Sequence, residues 1–362
     1  MHDGDTDLDT FTERVRDFIS NSVSSGVACP EYGTILPPGL IERATRWQAA
    51  IAQAGFAGID WSDAHHGRGL SEAHSVVWYT ECARAGVAPY ANFQGYVLTA
   101  GALRAFGAPE QTGRHLPGIV NGSTVWCQLF SEPGSGSDLS SLMTKAEPDG
   151  DGWRITGQKI WTSTAQVSQW GILLARTDPG TKGARGISFL LIDMDQQGID
   201  VRPIKQMTGD DEFCEVFLNG ARVERDGLLG ELHGGWRVAT SVLADERAAV
   251  GAASVRLDRR LQRIAPDDSR GLVDHGFALR RLMDRSGSNP LLGPLSKLAL
   301  TEFETHLSRA ILESHGAEGM IDNDDTEAFL YAPGMRLAGG TSEVQRDLVG
   351  ERLLGLPRPP RP

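Results

Sequence analysis

The order of patterns along the chain constrains the fold most: a helical block, a block of short strands, and a second helical block. In the first, Leu8, Phe11, Val15, Phe18 and Ile19 recur at helical spacing, which predicts an amphipathic helix with one buried stripe. Pro37-Pro38 precedes Leu40, Ile41, Ala44, Trp47, Ile51 and Ala54, with Gly55 as a stop, so a second helix is expected there. Two more are predicted over 71–85 and 92–106, closed by Gly86 and Gly107. The pattern changes near Thr124. Residues 125–129, 142–147, 153–156, 159–162, 171–176, 187–193, 200–204 and 213–218 are short β-rich runs separated by Gly, Pro and Asp. Pro148-Asp149-Gly150 and Gly157-Gln158 read as hairpin turns, and the whole as a small barrel or sandwich rather than a parallel sheet. After Gly230 helical spacing returns, over 236–250 and through Leu295, Leu298, Ala299, Phe303, Leu307 and Ile311. A last helix is expected from Ser342, where Ser342-x-x-Gln345 fits a capping box and Glu343 suits the positive end of the dipole. The blocks divide the chain at 1–118, 119–228 and 229–362.

A chain of 362 residues, 40% hydrophobic, buries a large core and is expected to form two or three domains. Its net charge of -12 argues against binding nucleic acid or an anionic membrane. The four cysteines, Cys29, Cys82, Cys127 and Cys214, form no C-x-x-C pair, and His65-His66 has no third ligand at suitable spacing, so no disulfide framework or metal site is indicated. The acidic start M-H-D-G-D-T-D-L-D has neither a basic nor an apolar leader region, and no apolar run approaches the roughly 20 residues of a membrane span. A cytoplasmic protein is expected.

Chemistry concentrates between Trp126 and Ser163. The run W-C-Q-L-F-S-E-P-G-S-G-S-D-L is a strand entering a Gly/Ser-rich turn, and G-Q-K-I-W-T-S brings a second strand end back beside it. Small hydroxyls, free backbone N–H groups and one flat aromatic suit a planar cofactor with a phosphate tail. Gly134-Ser135-Gly136-Ser137 is neither a dinucleotide fingerprint nor a Walker A loop, and it lacks the G-x-S-x-G of a nucleophile elbow. Taken alone, it reads as a turn.

Six runs together, in order, change that reading: G-F-A-G-I-D-W at 55–61, the two just quoted, L-L-A-R-T-D-P, Q-M-T-G-D-D-E-F-C-E-V-F-L, and the terminal G-G-T-S-E-V-Q-R-D-L-V-G-E-R-L-L-G-L-P-R. Over nearly its full length the sequence resembles the acyl-CoA dehydrogenase family. The resemblance implies an α+β multidomain fold, with an N-terminal helical domain, a middle β-barrel and a C-terminal four-helix bundle, and FAD held between barrel and bundle. It implies oxidation of the Cα–Cβ bond of an acyl-CoA to a trans-2-enoyl-CoA, with electrons passed to an electron-transfer flavoprotein. By the same resemblance Gln128, Leu129, Ser131, Trp161 and Ser163 line the isoalloxazine and ribityl chain, and Ser137 lies near the pyrophosphate or the thioester. Thr341 and Glu343 are expected to meet cofactor phosphates or ribose at the start of the last helix.

Removing an α-proton from a thioester needs a carboxylate in a dry pocket and donors on the thioester oxygen. Most family members carry that Glu just before the Gly-Thr of the terminal motif, where this chain has Gly339, a position bordering the substrate. A minority branch carries it on the first helix of the C-terminal bundle beside an Arg, and here Leu243-Ala244-Asp245-Glu246-Arg247 stands there. The expected base is Glu246, taking the pro-R α-hydrogen as a proton while flavin N5 receives the β-hydride, with Arg247 fixing the helix or pairing with a neighbour. Taken alone, the Glu-Arg pair also reads as a solvated surface pair. The family's R-K-x-F-G run, which reaches a neighbouring subunit's FAD, is replaced by V-R-L-D-R-R-L-Q-R-I-A-P-D-D-S-R-G, and His315-Gly316-Ala317-Glu318-Gly319 only loosely matches a second such loop. Actinobacterial members that shorten steroid side chains show the same departures and pair two different subunits as α2β2. The resemblance therefore leaves open a homotetramer or an α2β2 heterotetramer with a second acyl-CoA dehydrogenase-like chain, a non-catalytic partner subunit, and a related flavin oxidase or monooxygenase.

Overall fold

The computed structural model describes residues 7–32, 35–248, 254–263 and 271–357, with the backbone path alone at 244–248, 254–256, 258, 287, 288 and 290. It divides into two compact units, one of residues 1–206 with 210–242, the other of 207–209 with 243–362.

The first unit opens with α1 (Leu8–Ser24), α2 (Ile41–Gln53), α3 (Glu72–Ala85), α4 (Ala100–Phe106) and α5 (Pro109–Asn121). Asp7 caps α1 by accepting the Thr10 N–H at 2.9 Å, and α3 ends on Gly86 in the left-handed region at φ +68°. On the predicted α1 stripe Leu8, in the first turn, is exposed and Phe18 half-buried, while Phe11, Val15 and Ile19 are buried. They join Trp47, Phe56 and Trp78, with Phe56 stacked on Trp78 at 5.3 Å and Phe18 on Trp47 at 5.3 Å. Each such aromatic pair is worth roughly 0.5–1.5 kcal/mol beyond its buried area. A π-helical turn, Gln94–Thr99, leads into α4. α5 has no counterpart in the periodicity because Gly113, Pro117 and Gly118 interrupt it; Pro109 starts the helix and Gly122, at φ +75°, ends it.

The strands are β1 (Trp126–Leu129), β2 (Lys145–Asp149), β3 (Gly152–Ser163), β4 (Trp170–Arg176), β5 (Ile187–Asp193), β6 (Ile199–Ile204), β7 (Phe213–Val223) and β8 (Leu228–Leu229). They form one sheet in the order β6-β7-β3-β2-β4-β5-β8, antiparallel except where β4 meets β1 and β2. Residues alternating inward, among them Leu129, Leu173, Leu190, Ile192, Val216 and Leu218, make its core. The turn at Pro148-Asp149-Gly150 is present, Asp149 pairing with Gly152 across Gly150 at φ +66°. The turn expected at Gly157-Gln158 is not: β3 runs straight through it.

Glycine is needed at 157 for closeness, not for bending. A Cβ there would lie 2.8 Å from the Thr144 Cα. Gly157→Ala is expected to destabilise the chain by about 2 kcal/mol through overpacking, read as a lowered urea midpoint at unchanged slope.

α6 (Gly235–Ala248) follows the sheet. The second unit contains α7 (Ser254–Leu261), α8 (Leu272–Ser288), α9 (Gly293–Ser314), α10 (Asp324–Leu337) and α11 (Ser342–Leu348). α8, α10 and α11 pack on α9, and α7 on α8. Leu257, Leu279, Met283, Leu300, Phe303, Leu307 and Ile311 form the core, the last three from the apolar face predicted for α9, of which Leu295, Leu298 and Ala299 are half-buried. Among the described residues no helix is long and apolar enough to cross a membrane, and no three side chains are grouped to hold a metal. All four cysteines are buried free thiols, and burial pushes Cys29 up to about 11 and Cys127 up to about 12.

Candidate functional site

After β1 the chain turns through Ser131–Ser141, and this loop is fixed at several points. Glu132 and Ser135 exchange backbone hydrogen bonds of 3.1 and 3.0 Å, and the Ser135 and Ser141 hydroxyls meet at 2.8 Å. From β4, Arg176 donates to the Ser140 carbonyl at 3.1 Å and the Leu142 carbonyl at 3.4 Å. Beneath the loop Lys159, fully buried, donates from Nζ to Glu132 Oε1 at 2.9 Å and to the Phe130 carbonyl at 3.1 Å. Glu132 also accepts the N–H groups of Met143 at 2.6 Å and Thr144 at 2.9 Å. Burial pushes the Lys159 ammonium down to about 8 against the pull of Glu132. Burial alone would raise Glu132, but Lys159 and the N–H donors outweigh it and hold the carboxyl below its ordinary value.

The outward side of the loop is open. The N–H groups of Gly136 and Ser137 have no acceptor among the described residues, and a Cβ added to Gly134 or Gly136 would meet nothing within 4 Å. A cleft of about 390 Å³ lies along it, lined by Pro133, Gly134, Ser135, Met143, Gly157 and Gln158.

Gly157 and Gln158 of β3 line the other side of the cleft, and the strand then runs on past the start of the loop. Lys159 pairs with Val216 and Thr162 with Cys214, so Ile160 and Trp161 together oppose Glu215. A bulge of this kind re-aims a side chain. Trp161 takes φ +60°, rare for a bulky residue, and its ring is 56% exposed, edge-on to Phe213 at 6.1 Å. The Ile160 N–H donates to the Ser131 carbonyl at 3.0 Å, which ties β3 to the start of the loop. Gln128 and Ser131 are half-buried beside Leu129, which is fully buried, and Ser163 pairs with Phe213. Thr162 is buried and its hydroxyl has no partner among the described residues. A strand end carrying an exposed flat ring is thus tied to a loop whose Gly136 and Ser137 N–H groups have no acceptor among the described residues, a combination that suits a planar heterocycle with a phosphate tail.

The acyl-CoA dehydrogenase N-terminal domain matches residues 5–123, the middle domain 127–221 and the C-terminal domain 275–354. Acyl-CoA dehydrogenase IpdE1 of Mycobacterium tuberculosis (strain ATCC 25618 / H37Rv) is 36% identical over 383 residues, covering 97% of this chain and 98% of the relative. The chain belongs to the acyl-CoA dehydrogenase family. Acyl-CoA dehydrogenase FadE34 of the same organism is 37% identical over 86% of this chain and 46% of its own length. Among solved structures, the Tcur3481-Tcur3483 steroid ACAD superposes with a TM-score of 0.83 at 26% identity over 97% of this chain and 98% of that one. The ChsE4-ChsE5 complex from Mycobacterium tuberculosis shares the fold, with a TM-score of 0.81 at 24% identity over 98% of both chains.

This acyl-CoA dehydrogenase is therefore an oxidoreductase of acyl-CoA thioesters in a family of flavoproteins, with the N-terminal, middle and C-terminal domains of that family. Its remaining predicted positions fall in the second unit. Thr341, not Ser342, caps α11, its Oγ1 accepting the Val344 N–H at 3.3 Å. Gln345 does not close the expected box; it turns back to the carbonyls of Gly339 at 3.0 Å and Gly340 at 3.2 Å. Those two glycines take φ +65° and +97°, so the turn itself suits glycine. Glu343 is exposed one residue into the helix. Glu246 and Arg247 lie on α6, and their side chains are outside the described residues.

Sequence reasoning passed over Glu132 and Lys159, although both stand inside quoted motifs. Twenty-seven residues separate them, so no local spacing signals the pair. The available sign was a lysine on the inward phase of a strand, in step with the buried Ile155.

Proposed function

We propose that this acyl-CoA dehydrogenase uses FAD to convert a bulky, steroid-derived acyl-CoA to its trans-2-enoyl-CoA and passes the electrons to an electron-transfer flavoprotein. The observation that carries the flavin is Trp161, held on a bulge with its ring in solvent beside the donor-rich loop. Ser137 and the free N–H groups of Gly136 and Ser137 suit phosphate oxygens or the thioester; Gln128, Leu129, Ser131, Trp161 and Ser163 suit the ring system and its polyol. Thr341 and Glu343 are kept as contacts to the cofactor, and Gly339 and Arg247 to the substrate. Bound FAD supplies the acceptor for the β-hydride. Glu246 takes the α-proton on its carboxylate, and burial in an apolar pocket is what would bring its basicity to the working pH.

The steroid class rests on the likeness to the Tcur3481-Tcur3483 steroid ACAD. An α2β2 assembly with a second acyl-CoA dehydrogenase-like chain is favoured by the stretch after α6. There Arg260 is bound to Glu304 and Ser308, and Arg263 donates to Asp325 at 2.7 Å, so both cations are engaged within their own chain. Asp325, buried, also meets His315 Nε2 at 3.0 Å. Neither arginine is left to serve a neighbour's cofactor.

The test is a flavin spectrum of the chain expressed alone and with a second acyl-CoA dehydrogenase-like chain, followed by anaerobic bleaching with a panel of acyl-CoA thioesters. Flavin is expected only on co-expression, at fewer than one per chain, and bleached fastest by a ring-bearing acyl group. One FAD per chain in the protein alone would contradict the mixed assembly, and a preference for straight chains would contradict the substrate class. Rapid oxygen consumption by the reduced flavin would indicate an oxidase or monooxygenase instead.

A further inference from the structure

We propose that Glu132 and Lys159 are positioning residues that set the separation between the Gly/Ser loop and the Trp161 bulge, holding the donor side and the stacking side of the site in register before a ligand arrives. The second of the two tests below rests on the flavin reading; the first does not.

One ion pair reaches every part of the frame. Lys159 stands two residues before Trp161 and its Nζ grips the Phe130 carbonyl, immediately before Ser131. Glu132, next to Ser131, holds the far end of the loop through the N–H groups of Met143 and Thr144. Start of the loop, end of the loop and β3 are thereby fixed to a single cluster of atoms. Lys159 is 0% exposed and reaches no ligand. Glu132 is 8% exposed and borders the cleft, but both its oxygens are committed, to Lys159 and to the Met143 and Thr144 N–H groups. Stability alone does not account for it: two buried charges lose much of their attraction to desolvation, and apolar residues of the same volume often serve as well. What charge supplies and apolar packing does not is direction, because each hydrogen bond fixes one donor against one acceptor. The nearby charged groups are committed elsewhere, Arg176 to loop carbonyls and Glu215 to the Gln158 side chain. Glu132 is therefore the one charged partner that Lys159 meets among the described residues.

The experiment uses the full chain labelled with 5-fluorotryptophan, with the Trp161 resonance assigned through Trp161→Phe. Lys159→Met and Glu132→Gln are each expected to shift or broaden the Trp161 fluorine signal while Trp47 and Trp78, in the helical core, stay in place. In the flavin-stripped protein, co-expressed with its partner if flavin binding requires one, FAD affinity is expected to fall about tenfold in both variants. An unmoved Trp161 signal in both overturns the proposal. A moved signal in a protein of which no version, wild type included, binds FAD keeps the positioning role and removes the flavin reading. Should Lys159→Met not fold, Glu132→Gln carries the test, because it leaves Lys159 the Phe130 carbonyl and leaves an amide oxygen for a loop N–H.

Discussion

Glu246→Gln is expected to slow flavin bleaching by an acyl-CoA about a thousandfold while leaving substrate affinity within a few fold. The α-hydrogen of a thioester is weakly acidic, and a positioned base is worth roughly 10²–10⁴ in rate. Gln keeps the shape and one hydrogen-bonding oxygen but cannot take a proton at neutral pH. Asp245 and Glu246 are adjacent positions of one helix, about 100° apart around its axis, and Gly339 has no side chain to offer. Stopped-flow bleaching under anaerobic conditions, with substrate dissociation constants measured in parallel, separates loss of chemistry from loss of binding. A native bleaching rate in the variant would remove Glu246 from the reaction.

The second large effect concerns acid stability. His115 on α5 is 6% exposed, wedged edge-on against Trp170 at 4.6 Å and Trp126 at 5.2 Å. Burial, helped by the charge of Arg114, pushes it from 6.5 down to about 4. Between those values the unfolded chain binds a proton that the folded chain refuses, so stability present above about pH 6.5 is lost as pH falls toward 4. The difference corresponds to about 3 kcal/mol. His115→Gln is expected to flatten the acid limb by that amount. Urea midpoints of wild type and variant at pH 7 and pH 4.5 provide the check: equal shifts in the two proteins would show that His115 does not titrate this way.

Much of the fold was legible because periodicity reports burial directly. Spacing found Phe11, Val15 and Ile19 on α1 and Phe303, Leu307 and Ile311 on α9, all buried, while Leu8 in the first turn of α1 is exposed and Leu295, Leu298 and Ala299 are half-buried. The misreadings share a cause. Gly157 looked like punctuation, yet what requires glycine is the Thr144 backbone, which no local pattern in β3 can announce. The same holds for the cap of α11, where Ser342 fits the motif but Gln345 donates instead to the carbonyls before the helix. At the site, the Gly/Ser run and the Trp161 motif were visible as residues. The bulge that turns Trp161 outward depends on the register with β7, and the pair beneath the loop joins residues with no neighbourhood in sequence.

The buried thiols carry a practical consequence. A sulfhydryl reacts as its anion, and burial disfavours the anion, most clearly at Cys82, Cys127 and Cys29. Maleimide or iodoacetamide reagents should therefore spare the native chain. Two cysteines introduced at surface positions, one in each compact unit, would then carry dyes or spin labels by themselves, and the distance between the units could be measured without first stripping out the natural ones.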